Sequence, residues 1–229
     1  MLCFFVFFAS CWGPVFHQIV ASEFSNEFLP HLTKKERQSF IVGSVFIDSL
    51  PRNPYHKTDY MIEVLRKEPN NTEEWWFKQG MLLHLVADLF GHFGKPNSFL
   101  PLKKPIHYLA ELSCCSYLTT NRNYKRIKVN QLSKKVLKSL GNRFPLFFTL
   151  FIKVWRILCY FWVHKIIHHL ESDTCSKIKS YDNSVDVLEN HISSIKSTMY
   201  EILILFSNNQ LDSRSFGNSV DTELREIGC

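Results

Sequence analysis

Gly80-Met81-Leu82-Leu83-His84-Leu85-Val86-Ala87-Asp88-Leu89-Phe90-Gly91-His92 carries a metal-type side chain at every fourth position, with mostly apolar residues between. On a helix this spacing stacks His84, Asp88 and His92 on one face, turn above turn. Two imidazoles and a carboxylate converging from an apolar helix form the nitrogen and oxygen donor set that zinc takes at short range. The plainer reading is a buried helix with hydrogen-bonded histidines.

Potential ligands continue on either side. Trp12-Gly13 precedes His17, and Gly43-Ser44-Val45-Phe46-Ile47-Asp48 is followed, after a proline-rich turn, by His56. Further on, His107 and Glu111 again stand four apart. Singly, each is as well explained by a structural histidine or a solvated helix pair. Together they supply ligands for more than one ion.

The order Trp12-Gly13…His17, Gly43…Asp48…His56, Gly80-x-x-x-His84-x-x-x-Asp88-x-x-x-His92, His107-x-x-x-Glu111 resembles the zinc-dependent phospholipase C family. That family includes the N-terminal domain of glycosylphosphatidylinositol-specific phospholipase D and is related to the single-strand-specific zinc nucleases. The resemblance runs over about residues 12–111. It implies an all-α domain around as many as three zinc ions. By position, Asp48, His56, His84 and Asp88 would hold one. Asp88 as a bridge, His17 and the main-chain amine and carbonyl of Trp12 would hold a second. His92, His107 and Glu111 would hold the third. The rival ligands for that last ion are His164 and His168, followed by Glu171.

A free Trp12 amine requires cleavage after Cys11. Met1–Phe8 is an uninterrupted apolar run, and Ala9-Ser10-Cys11 places small residues where a signal peptidase cuts. Residues 1–11 are therefore expected to be a short leader, and the protein to enter the secretory pathway. Asn70-Asn71-Thr72 would then be a glycosylation acceptor. Loss of a leader would leave Cys114, Cys115, Cys159, Cys175 and Cys229, an odd set, so that one thiol would stay free or pair between chains.

Composition agrees with a helical protein. Hydrophobic residues at 45% supply a core, and only 8 glycines leave little punctuation for a strand-rich fold. Residues 12–206 are expected to form the helical domain. The polar stretch 207–229 reads as a disordered tail. Predicted helices span Val15–Phe28, Val42 backwards to a Thr33 cap with Glu36 three residues on, Tyr60–Lys67, and Thr72 through the motif to His92. The net charge of +6 gathers after residue 120, in Asn121–Lys128, Lys134, Lys135 and Lys138. Such a run suits a solvated helix face, or contact with anionic lipid or nucleic acid. Phe144–His169 is rich in aromatics, but Lys153 and Arg156 break it into runs shorter than the roughly 20 residues a span needs. It is expected to be core, or to touch a membrane interface.

The implied chemistry is phosphodiester hydrolysis by a zinc-held hydroxide, with Asp48 orienting or deprotonating the attacking water. The chain contains no glycine-rich phosphate loop and no Gly-x-Ser-x-Gly elbow, which disfavours nucleotide-driven transfer and serine esterase chemistry. The expected substrate is a phospholipid or glycolipid headgroup. One alternative is single-stranded nucleic acid, with Trp75, Trp76 or Phe90 stacking bases near the ions. The other is a non-catalytic domain that binds zinc, lipid or a partner.

Overall fold

The computed structural model describes residues 14–47, 62, 65–93, 114, 118, 121–122 and 184–226. Among these, five helices and no strand are found: α1 (Pro14–Glu27), α2 (Lys34–Phe46), α3 (Thr72–Phe93), α4 (Ser184–Ser207) and α5 (Ser213–Glu226). The all-α class is as expected.

Local chemistry accounts for the helix ends. Pro14 opens α1 at a position where its missing amide is not needed. Thr33 and Glu36 form the predicted capping box on α2: the Thr33 amide donates to Glu36 Oε2 at 2.9 Å, and the Glu36 amide donates to Thr33 Oγ1 at 3.3 Å. α2 runs four residues past the expected Val42, because Gly43 to Phe46 are buried and packed. For α3 the cap is Asn71, whose Oδ1 accepts from the Glu74 amide at 2.9 Å. Of the predicted Tyr60–Lys67 helix, Ile62, Leu65 and Arg66 are helical.

Two helices are central. From Val15 to Ala21, and again from Phe77 to Asp88, every residue is buried. Stretches buried on all sides have no solvent face, so these parts of α1 and α3 sit inside the others. α2 crosses α3 at Gly43 and Gly80. A Cβ on Gly43 would collide with the Phe77 carbonyl, and one on Gly80 with the Phe40 carbonyl. Only hydrogen at both positions lets the two backbones touch. α4 packs with a stripe of Leu188, Ile192, Ile195, Met199, Ile202 and Phe206, alternating three and four apart, against this core.

The stretch read as a disordered tail is not one over 207–226. Asn209 takes a left-handed conformation (φ 57°) and the Gln210 amide donates to Leu205 O at 2.8 Å, closing α4. Asp212 Oδ1 then accepts from the Ser215 amide at 2.7 Å and opens α5. Leu211, Phe216 and Val220 are buried. Polar residues that suggested disorder by composition are thus helix stops and starts.

Arg122, from the basic run, bonds Glu23 of α1 at 2.7 Å and also Glu189 of α4. Lys196 reaches Glu27 at 2.6 Å. These charges fasten α4 to α1, so Arg122 is not available to an anionic partner. The other basic residues of that run, the aromatic stretch and the leader lie outside the described residues. Among the described residues no helix is long and apolar enough to cross a membrane.

Candidate metal centre

His17 comes from the buried half of α1, and His84 and Asp88 from adjacent turns of α3. Their ligand atoms all lie within 4.8 Å of one another. His84 Nε2 is 3.1 Å from Asp88 Oδ2, and His17 Nε2 is 3.3 Å from Asp88 Oδ1. Each imidazole therefore faces its own carboxylate oxygen. The two rings stack at 3.9 Å with 22° between their planes.

Hydrogen placement on His84 follows from its other nitrogen. Nδ1 is 2.8 Å from the Ser44 carbonyl oxygen. A carbonyl only accepts, so Nδ1 carries the hydrogen and Nε2 presents its second function to Asp88. In a neutral ring that function is a lone pair, facing a carboxylate oxygen. Two lone pairs at this distance need a cation between them, either a proton or a metal. Protonating both stacked rings would set like charges 3.9 Å apart, costing about 4 kcal/mol at an effective dielectric of about 20. Two imidazolium ions are therefore disfavoured in the cluster.

Asp88 is held ionised. Burial alone would push its pKa up, but the charge of His84 and contacts with both imidazoles bring it well below the usual carboxylate range. A buried anion with two nitrogen donors is what a divalent cation requires. Ligand arms of about 2.0–2.1 Å in tetrahedral array put neighbouring donor atoms about 3.3 Å apart. The observed 3.1 and 3.3 Å match that edge. The residues fit zinc.

Three of the sequence-predicted ligands, His17, His84 and Asp88, are therefore brought together. His92 lies on α3 one turn beyond Asp88. Trp12, Asp48, His56, His107, Glu111, His164, His168 and Glu171 lie outside the described residues. The aromatic platforms considered for nucleic acid are occupied otherwise. Trp75 packs on Phe206 at 4.8 Å and Trp76 meets the edge of Phe40 at 6.4 Å. Trp76 also lies twelve residues before Asp88, about 18 Å along the axis at about 1.5 Å per residue. Phe90 is fully buried, against His191.

Ser44 and His191 were not singled out by the sequence. For Ser44 no pattern exists, since its contribution is a main-chain oxygen. His191 lay in a stretch without ligand spacing. Phe90, on which it packs, points about 200° away from Asp88 around the helix at about 100° per residue, so His191 is not a fourth ligand. Burial lowers the pKa of His191 to about 4 from an ordinary 6.5. The unfolded chain then binds the extra proton between these values, and stability falls as pH drops through that window. His191→Leu is expected to reduce the stability difference between pH 7 and pH 4 by about 3 kcal/mol. Urea unfolding at both pH values checks it, and an unchanged difference refutes a neutral buried His191.

A helical domain with a buried two-histidine, one-carboxylate cluster between central helices is a site that could hold a metal ion. The model of one family, zinc-dependent phospholipase C, matches residues 16–204. The chain belongs to the zinc-dependent phospholipase C family. That match continues through most of α4, well past the 12–111 region in which the resemblance was legible. No curated protein and no solved structure matches the chain significantly.

Proposed function

We propose that the protein is a zinc-dependent phosphodiesterase that hydrolyses a phospholipid or glycolipid headgroup, using up to three zinc ions. The observation that carries this reading is the buried His17–Asp88–His84 cluster in a chain of that family. Because each imidazole faces a different oxygen of Asp88, the geometry supports Asp88 as a bridge between two ions, His84 serving one and His17 the other. Zinc supplies a Lewis acid and lowers the pKa of bound water to about 7.

The chain's own part is to hold these donors deprotonated and dry. Asp88 stays an anion inside the core, and His84 keeps Nε2 directed at it. Asp48, expected beside the same cluster, would orient the attacking water and accept its proton. His56 and Trp12 would complete the first two ions, and His92, His107 and Glu111 the third. Secretory localisation and contact with a membrane surface belong to the same reading. They are supported by the apolar Met1–Phe8 run and by the lipid named in the family description.

Zinc content per chain, together with hydrolysis of phosphatidylcholine, phosphatidylinositol and glycosylphosphatidylinositol vesicles and of single-stranded DNA, tests the proposal. Two or three zincs and turnover of a lipid are expected. Turnover of DNA alone would replace the substrate class, and a folded protein without zinc would leave only a non-catalytic helical domain.

A further inference from the structure

Ser44 lies in the last turn of α2, where main-chain carbonyls are left without intrahelical amides. It is fully buried between the two helices that carry the metal-type side chains. Its carbonyl oxygen accepts from His84 Nδ1 at 2.8 Å. Its hydroxyl is 3.2 Å from the main-chain carbonyl of His17 and 2.8 Å from that of Ile41. One hydroxyl hydrogen serves both acceptors, so the link to α1 is shared with a bond inside α2. Ser44 N would also be 2.8 Å from a Cβ on Gly80, one turn before His84. One small residue thus touches the backbone bearing His17 and the ring of His84, on two different helices.

We propose that Ser44 is the positioning residue of the metal centre: its carbonyl fixes the hydrogen of His84 on Nδ1 and its hydroxyl sets α1, and with it His17, against α2. The inference rests on the zinc reading above. Partners that orient a ligating histidine hold its ring and direct its lone pair, and their loss typically weakens metal binding about 10–100-fold. The location adds to this. The last turn of a helix carries the negative end of its dipole, which favours a cation at the ring it contacts. The carbonyl is retained whatever side chain stands at 44. The hydroxyl can be removed without a void larger than one atom, since alanine keeps the Cβ.

Two measurements test the role. In the zinc-free wild-type protein, nitrogen-15 spectra of the histidine rings should show His84 hydrogenated on Nδ1; hydrogen on Nε2 alone would overturn the assignment of the carbonyl. In Ser44→Ala, competition between the protein and a chelator for zinc should show affinity several-fold below wild type, a smaller loss than that of a ring's own partner because the hydroxyl holds only the main chain behind His17, while the zinc-free variant melts close to the zinc-free wild type. His84 should keep its hydrogen on Nδ1 in the variant, because the carbonyl remains. Wild-type zinc affinity in Ser44→Ala would refute the hydroxyl's role. A wild-type protein that binds no zinc would instead sink the metal reading itself, and the inference with it.

Discussion

Asp88→Asn is expected to lose zinc and, with it, phosphodiester hydrolysis, while the protein stays folded. The carboxylate is the only anion in the described cluster, and both imidazoles face it. Asparagine keeps the shape but removes the charge and one acceptor oxygen. Loss of a partner one step removed from a metal already costs about 10–100-fold in affinity, so loss of a bridging ligand should exceed about 100-fold. The folded state is protected by the same geometry. The asparagine amide can donate to His84 Nε2, which in the neutral ring offers a lone pair at 3.1 Å from the carboxylate position. No cation is then required between them. Elemental analysis, circular dichroism and vesicle hydrolysis on the same preparation check the prediction. Zinc and turnover at wild-type levels would show that Asp88 is not a ligand, and an unfolded variant would show that the amide does not replace the charge.

What the sequence made legible follows from how far apart the cooperating residues are. His84 and Asp88 share a helix face, so their spacing alone announced them. His17 lies on another helix, and only the order of motifs attached it to the pair. Ser44 acts through a carbonyl held 2.8 Å from a ring forty residues away, and no residue type encodes that. The capping box at Thr33 is local, and the Thr33–Glu36 spacing announces it. The stretch from Ser207 misled because composition counts polar residues without asking what they terminate. Asn209 and Asp212 are helix boundaries, and Leu211, Phe216 and Val220 are too sparse to register as a core pattern. The stripe on α4 is regular, but its function is to close the bundle, not to contribute chemistry.

Gly80→Ala should strongly destabilise the described core, although alanine is the better helix former. In an unobstructed helix the exchange stabilises by up to about 1 kcal/mol. Gly217 supplies that control, since it is exposed within α5 and a Cβ there meets nothing within 4 Å. At Gly80 a Cβ would overlap the carbonyl of Phe40 and stand 2.8 Å from Ser44 N. Both obstacles are backbone of α2 and cannot rotate aside, so the helices must separate. Overpacking of a dense core costs about 1–3 kcal/mol and more where no side chain can yield, so a loss of at least about 3 kcal/mol is expected after the propensity gain. Against a total stability of about 5–15 kcal/mol this is a large share. The separation also draws Ser44 from His84, because Gly80 lies one turn before His84 on α3 and Gly43 is next to Ser44 on α2. Zinc affinity should therefore fall in whatever fraction of Gly80→Ala remains folded. Chemical unfolding of Gly80→Ala and Gly217→Ala beside the wild type should move the midpoint in opposite directions. A shift of the same sign in both would mean that α2 and α3 do not touch through Gly80, and that the site is held together by something other than their crossing.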